Sequence, residues 1–564
     1  MRKNHMTVLA ETITPRRFSI SQLSIGVLLL LSGLTFYYLA VVRLDYSKTT
    51  LLDLAPHPDA TEYFAQAQAL GRDGWPSIRI GYEKLPSRYP FGYPVLMLPW
   101  LKILPEADHV LAPFRTSQTT GLLLLLAVFA FYVYLGMPLS GGFAVLLLST
   151  LPGFFTFCRS SLSEVSASLL IVLAFMFAYL GFYEKRRWKI YLCAVFLGLS
   201  LNIRIQSLFF APLLLTMTLF PMRGRPWRWF LHCAAVCVVF VAAAAPVLVF
   251  NSIQFGSPLK TGYDFWVPYF SMKHLLFLPR YVPRNALNLW RQFSLQTHPY
   301  DAAYVFGTGT CFVPAFILLV CAGLFLVRFS WFFVCASLAA FSSLMASLCY
   351  LFGSDGRFYL PVLLLVVALA VLPVTWAANK LFNRRWIGAT LGVFVLLAGS
   401  CLGYPSRSGY NTPAINRFQA WDALHFTSLP TESTAFVAQK QFARQLGRQL
   451  GVILSDIDSV YLNALLPRSF AAVPIDAKHH YKWSYIWRYD RPQALAVTQN
   501  ALKHSIPVYA LFVSDDEVAK GQLRLPIIAG YQWHRLNNSS GGAAILQLIS
   551  AESDAAPPPS DNAR

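Results

Sequence analysis

Charged residues are scarce in this chain, and acidic ones scarcest. Of 564 residues 13% are charged, with 26 Asp and Glu against 46 Lys and Arg, while 56% are hydrophobic and 15% aromatic. Together with a mean hydropathy of +0.48, this excludes a soluble globular protein and makes the chain a polytopic membrane protein. Cysteine is sparse and confined. Cys158, Cys193, Cys233, Cys237, Cys311, Cys321, Cys335, Cys349 and Cys401 all lie in or beside apolar runs, and none follows residue 401. That placement argues against a disulfide framework or a cysteine metal site and for small buried hydrophobes. Also missing are a Walker loop, a dinucleotide fingerprint, an HExxH helix, a Cys/His zinc spacing and a GxSxG elbow. The adjacent His479 and His480 have no further ligand at metal spacing. No cofactor is called for, and a divalent metal is not indicated.

What is there is a series of apolar runs near the ~20 residues that cross a bilayer. They fall at 20–42, 113–136, 140–157, 162–183, 188–203, 208–222, 229–250, 303–328, 331–351, 358–377 and 386–403. The expectation is an α-helical membrane domain over 1–403 with about eleven transmembrane helices, followed by a soluble domain. The net charge of +20 would direct a soluble protein to nucleic acid. Here no nucleic-acid partner is expected, because membrane topology accounts for many of the cations. YEKRRWK at 183–189, MRGRPWR at 222–228, Arg328 and NKLFNRR at 379–385 all fall on one side of an eleven-span chain. The positive-inside rule makes that side cytoplasmic, as it does the N-terminus with Arg2, Lys3, Arg16 and Arg17 before an uncleaved signal anchor. The expected location is the cell inner membrane. The loops 43–112 and 251–302 and the C-terminal domain then lie on the periplasmic face.

Residues 404–550 alternate helix-like segments, Thr434 to Leu450 and Pro492 to His504, with strand-like runs, Ser469 to Pro474 and Pro507 to Val513. A small α/β domain is expected there, with a disordered tail over 551–564. The stretch YPFGYPVLMLPWLKIL at 89–104 carries three prolines in ~16 residues, which suits a re-entrant or surface-lying helix better than a crossing.

Chemistry is best sought among the few charges at the external span ends. After the first span, PHPDATEYFAQAQALG reads as a short amphipathic helix with Pro58 in its first turn, Asp59 and Glu62 beside it and Gly71 past its end. A first-turn position suits the Asp59 carboxylate, whereas Glu62 reads as a solvated face residue. Lys84 and Arg88 follow, then the aromatic YPFGYP. Glu164, in CRSSLSEVSASLL, suits either a helix-dipole role in the first turn or a catalytic one. Arg204, in LSLNIRIQSLFFAP, has no acidic neighbour in sequence, and Arg357, in FGSDGRFYLPV, has Asp355. Each could bind a phosphate with its guanidinium fork or snorkel to lipid headgroups.

In order, DATEY at 59–63, RYPFGYP at 88–94, RSSLSEV at 159–165, NIRIQSLFFAP at 202–212, FGSPLKTGY at 255–263 and RFYLP at 357–361 span the membrane half. In this order the chain resembles the GT-C class of polytopic glycosyltransferases. It is most similar to the bacterial branch that includes aminoarabinose lipid A transferases and is related to protein O-mannosyltransferases. The resemblance implies transfer of a sugar, with inversion, from a polyprenyl-phosphate donor to a hydroxyl of a glycan, lipid or protein acceptor at the outer face. It makes Asp59 the base and Glu164 the second acid. On the resemblance Arg88, Arg204 and Arg357 would bind the donor phosphate. Lys84 is a further cation expected at the donor phosphate, and Tyr63, Tyr89, Tyr93 and Tyr263 are expected to line the substrate cavity. Two departures are the single Asp at 59, where the O-mannosyltransferases have adjacent acids, and Glu rather than Asp at 164. The competing class is a transporter or flippase of a lipid-linked saccharide, which would show inverted repeats and broken midplane helices. No internal symmetry is seen, and the acids lie at the external edge.

Overall fold

A computed structural model describes residues 20–43, 59–219, 226–266, 274–293, 320–325, 327, 330–351, 353, 356–381, 442, 446, 450–456, 459–475, 491–512, 525–536 and 544–551. The chain divides into two compact units, one of residues 1–45, 114–260 and 270–428 and the other of residues 46–113, 261–269 and 429–564.

The first unit is helical. Among the described residues six helices are long and apolar enough to cross a membrane: Gln22–Val42, Asp108–Tyr134, Glu164–Glu184, Pro226–Phe255, Trp331–Cys349 and Gly356–Pro373. The chain is a multi-pass membrane protein. Helix Arg187–Ile203 adds 17 residues. The expected span 386–403 lies outside the described residues, as does most of 303–328. The expected span 140–157 is two helices, Pro138–Thr150 and Pro152–Cys158, separated by an extended Leu151 at ψ 120°. Pro152 explains the break, because a proline's ring disfavours helical geometry in the residue before it. The expected span 208–222 is a 3₁₀ helix, Ile205–Leu219. At about 2.0 Å per residue its 15 residues reach about 30 Å, the thickness of the hydrocarbon core. Small residues let the first helix and Pro138–Thr150 approach closely, since a Cβ on Gly142 would stand 2.2 Å from the Gly26 carbonyl oxygen.

The second unit holds the C-terminal α/β domain and, with it, the first loop. The strands are β1 Ile78–Ile80, β2 Glu83–Leu85, β3 Gly451–Ser455, β4 Phe470–Pro474, β5 Val508–Phe512, β6 Tyr531–Arg535 and β7 Ala544–Ser550. β1 and β2 form a hairpin, and the other five form one sheet in the order β4-β3-β5-β7-β6. β3 runs parallel to β4 and β5, while β7 is antiparallel to β5 and β6. β3 and β5 are buried at every position, as central strands covered on both faces should be. The strands at 469–474 and 507–513 and the helix at 492–504 stand where the sequence placed them, as β4, β5 and Arg491–Lys503. Of the helix expected over 434–450, Phe442 and Leu446 are described, both helical and buried, and most of the rest lies outside the described residues, as does the tail from 552.

The sequence places loop 43–112 with the membrane domain; its residues 59–112 lie in one compact unit with the C-terminal sheet. The buried Asn463 amide makes the joint. It donates to the carbonyls of Arg79 at 3.2 Å and Ala472 at 2.8 Å and accepts from the Ala472 N–H at 2.9 Å. Gly81, at the hairpin turn, adds an N–H to Ala472 O at 2.8 Å. Helix Asp59–Asp73 also runs further than expected. Gly71 lies inside it, and the stop is Gly74, whose φ of +71° is the left-handed conformation that ends helices. Gly92–Ile103 is a 12-residue helix, about 18 Å long, too short to cross.

Candidate active site

The expected site residues fall into two groups, one in each unit. In the second unit the first group is built on helix Asp59–Asp73, which buries its entire first three turns, acids included. Glu62 is fully buried rather than solvated, and its carboxylate takes three hydrogen bonds and an ion-pair contact from the next loop. Ser87 Oγ donates to Oε2 at 2.7 Å and the Arg88 N–H to the same oxygen at 2.9 Å. Arg88 Nε donates to Oε1 at 2.8 Å, and Nη2 stands 2.6 Å from it. Arg88, expected among the phosphate ligands, is itself buried and turns its fork to Glu62. Helical spacing hid this role. Glu62 lies one turn from Asp59 on the face that packs inward, and hydropathy alone assigned that face to water.

Asp59 is 7% exposed and accepts a hydrogen bond from the Tyr89 hydroxyl. Burial pushes the Tyr89 phenol well above the ordinary tyrosine range; Arg88 opposes the shift and Asp59 adds to it. Tyr89 is therefore a persistent donor that fixes one Asp59 oxygen. Its ring begins a cluster of the four expected tyrosines, with centroids 4.9 Å from Tyr63 and 6.1 Å from Tyr263, and Tyr63 in turn 5.1 Å from Tyr93. Tyr93 is fully buried and donates to Pro113 O at 2.8 Å. What holds the far side of the loop comes from a segment distant in the chain. There, a Cβ on Gly262 would lie 2.1 Å from Ser87 O and 2.4 Å from Arg88 Cα, so only glycine permits the approach. Trp266, 1% exposed, donates its indole N–H to Pro86 O at 2.7 Å. Lys84 stands apart from this group, 62% exposed and paired with Asp73 at 2.8 Å.

In the helical unit the second group joins three distant segments. Glu164 opens helix Glu164–Glu184 and is 2% exposed. Arg204, at the extended C-cap of Arg187–Ile203, pairs with Glu164 Oε1 and reaches Ser163 Oγ at 3.3 Å. Arg357 Nε lies 3.8 Å from the same carboxylate oxygen. Both guanidinium carbons stand over the Phe358 ring, at 5.4 and 4.9 Å. The absence of an acidic neighbour in sequence thus does not carry into space for Arg204. Two arginines share one carboxylate oxygen, while Glu164 Oε2 is buried without a hydrogen-bond donor among the described residues. Asp355, the sequence neighbour considered for Arg357, is outside the described residues.

Asn202 supports the Arg204 end. Pro246 interrupts helix Pro226–Phe255, and the Asn202 amide fills the gap by donating to Ala243 O at 2.8 Å and accepting from the Val247 N–H at 2.9 Å. Arg159, five residues before Glu164, is fully buried over the Phe155 ring at 4.9 Å and reaches Ala40 O at 3.4 Å. Among the described residues no group of three or more His, Cys, Asp or Glu could hold a metal ion.

No family model matches the sequence, and no curated protein matches it. Solved structures do. The chain is similar to ArnT from Cupriavidus metallidurans bound to undecaprenyl phosphate, at 14% identity and TM-score 0.59 over 92% of this chain and 97% of that one. The same protein in its apo state gives 15% identity and TM-score 0.58 over the same shares. The Archaeoglobus fulgidus oligosaccharyltransferase in complex with zinc and sulfate gives 12% identity and TM-score 0.50, over 92% of this chain and 72% of that one. At these identities the likeness is one of fold, and the fold is that of the GT-C glycosyltransferases.

Proposed function

We propose that this chain, built on the GT-C fold, is an integral-membrane glycosyltransferase that moves a sugar from a polyprenyl-phosphate donor to an acceptor hydroxyl at the periplasmic face, with inversion. The fold carries this reading, since it is shared along nearly the whole chain with a protein solved with undecaprenyl phosphate. The two side-chain groups supply the chemistry such a reaction needs. Asp59 takes the acceptor hydroxyl proton as the acceptor oxygen forms its bond to the anomeric carbon. The anomeric carbon–oxygen bond breaks, and its electron pair leaves with polyprenyl phosphate. Tyr89 orients the base by its hydrogen bond. Arg204 and Arg357, gathered at one oxygen of Glu164, stabilise the leaving phosphate. Glu164 holds the two guanidiniums with one oxygen.

The two expected phosphate ligands of the first loop take other parts in this reading. Arg88 positions the loop through Glu62, and Lys84 belongs with Asp73. The polyprenyl-phosphate sugar, a glycan, lipid or protein acceptor, and the membrane lipid are the partners. The inner membrane is the location, with the N-terminus cytoplasmic and the C-terminal domain periplasmic. Mass spectrometry of lipid A, cell-wall glycans and secreted glycoproteins, with and without the gene, tests the activity. The expected result is one sugar-sized mass increment lost on deletion. Unchanged glycans with a lipid-linked saccharide trapped in the cytoplasmic leaflet would contradict transfer and indicate transport.

A further inference from the structure

The second unit contains a basic cavity that the reaction above does not use. It is lined by Gln68, Arg72, Asp73 and Ser77 of the first loop, Arg79 of β1, Lys84 of β2, and Asn463 and Arg468 of the C-terminal domain. Its volume is about 90 Å³, several times the roughly 10–15 Å³ that one water requires. Four cations face one carboxylate, a net charge of +3 in the lining. Asp73 is committed to two of them, Lys84 at 2.8 Å and Arg468. Arg72 and Arg79 form no ion pair among the described residues. Glu106 acts on Arg72 electrostatically but does not line the cavity.

Arg79 is held rigidly. Its Nη2 donates to Asn463 Oδ1 at 3.2 Å and to Phe470 O at 2.7 Å, while its buried Nε makes no hydrogen bond among the described residues. Burial and the like charge of Arg72 push the Arg79 guanidinium below its ordinary range, and burial and Arg468 do the same to Arg72. A folded chain brings three guanidiniums into one small cavity at an electrostatic cost, and an anion removes that cost.

We propose that this cavity binds a phosphate group, with Arg72, Arg79 and Arg468 as its ligands. Arg79 supplies a fixed guanidinium in the cavity wall, and Arg72 and Arg468 add two more cations to neutralise the phosphate oxygens. A phosphomonoester on an acceptor and the phosphate of an anionic lipid headgroup present the same chemistry. The site stands independently of glycosyl transfer, so its test reads binding.

The test uses the full chain carrying Arg204→Gln and Arg357→Gln, which removes phosphate binding at the Glu164 group from the measurement. In nanodiscs of neutral phosphatidylcholine, isothermal calorimetry with inorganic phosphate should give saturable binding to one site. Arg72→Gln or Arg468→Gln should weaken it about tenfold each. Both side chains can be changed without touching the Asn463 joint, so a folding failure of Arg79→Gln would not decide the matter. Repeating the titration in phosphatidylglycerol nanodiscs distinguishes the sources. Competition there identifies a lipid headgroup, and undiminished binding identifies a soluble or acceptor phosphate, each consistent with the site. No saturable binding in neutral nanodiscs, or affinity unchanged by both arginine variants, overturns it.

Discussion

Replacing Glu62 with Gln tests whether the first loop is organised around a buried ion pair. Three hydrogen bonds converge on this carboxylate, from Ser87 Oγ, Arg88 N and Arg88 Nε, beside an ion-pair contact from Arg88 Nη2. Glutamine offers one acceptor oxygen and places an NH₂ group against donors on the other side. It also leaves the guanidinium of Arg88, 6% exposed, without its counter-charge. Removing one partner of a buried pair costs about 3–5 kcal/mol. For a unit of this size, at about 2–4 °C per kcal/mol, the melting temperature should fall by roughly 6–20 °C. The assay is thermal unfolding in detergent, combined with limited proteolysis across residues 86–92. Arg88→Met alone should be similarly damaging, and the double variant Glu62→Gln/Arg88→Met should lose much less than the two singles together, because neither charge is then stranded. Additive losses, or a Glu62→Gln protein melting within about 2 °C of wild type, would refute the reasoning. A raised donor KM for Arg88→Met with unchanged melting would return Arg88 to the phosphate.

Gly262→Ala should destabilise the same loop, because its methyl would stand 2.1 Å from Ser87 O and the backbone must move; faster proteolysis near residue 88 checks it. Tyr89 gives a pH dependence. Its folded pKa is raised, so the stabilisation it supplies is full below the unfolded value of about 10 and is lost as pH rises through the folded value. Tyr89→Phe should therefore show a shallower loss of stability above pH about 10 than wild type, and a slope equal to wild type would contradict the assignment. For topology, a periplasmic reporter fused after Arg564 should be active and one fused after Arg187 inactive.

The membrane class and the C-terminal sheet were legible because both rest on local pattern: long apolar runs, and alternating helix-like and strand-like segments. β4 and β5 stand within a residue of where their runs begin and end. Less legible was anything that depends on a partner distant in sequence. Glu62 looked like a surface acid because its donors, Ser87 and Arg88, lie beyond the helix. Arg204 looked unpaired because Glu164 comes from another helix. Ring contacts link Tyr63, Tyr89, Tyr93 and Tyr263, which come from three separate stretches of sequence. What periodicity could not supply was the clamp by Gly262 and Trp266, whose sense lies in a backbone approach across the fold. The 3₁₀ helix Ile205–Leu219 was hidden for a different reason, since apolar composition reports length in residues and not rise per residue.

Asp59→Asn asks whether Asp59 is the general base, since the amide keeps the shape and the Tyr89 contact while removing basicity. Purified protein would be given a polyprenyl-phosphate sugar donor and the acceptor identified by mass spectrometry, with turnover and donor affinity measured separately. Turnover should fall by about 10²–10⁴-fold, the usual contribution of a positioned base, with donor affinity changed by less than about threefold. Turnover near that of wild type would contradict that role.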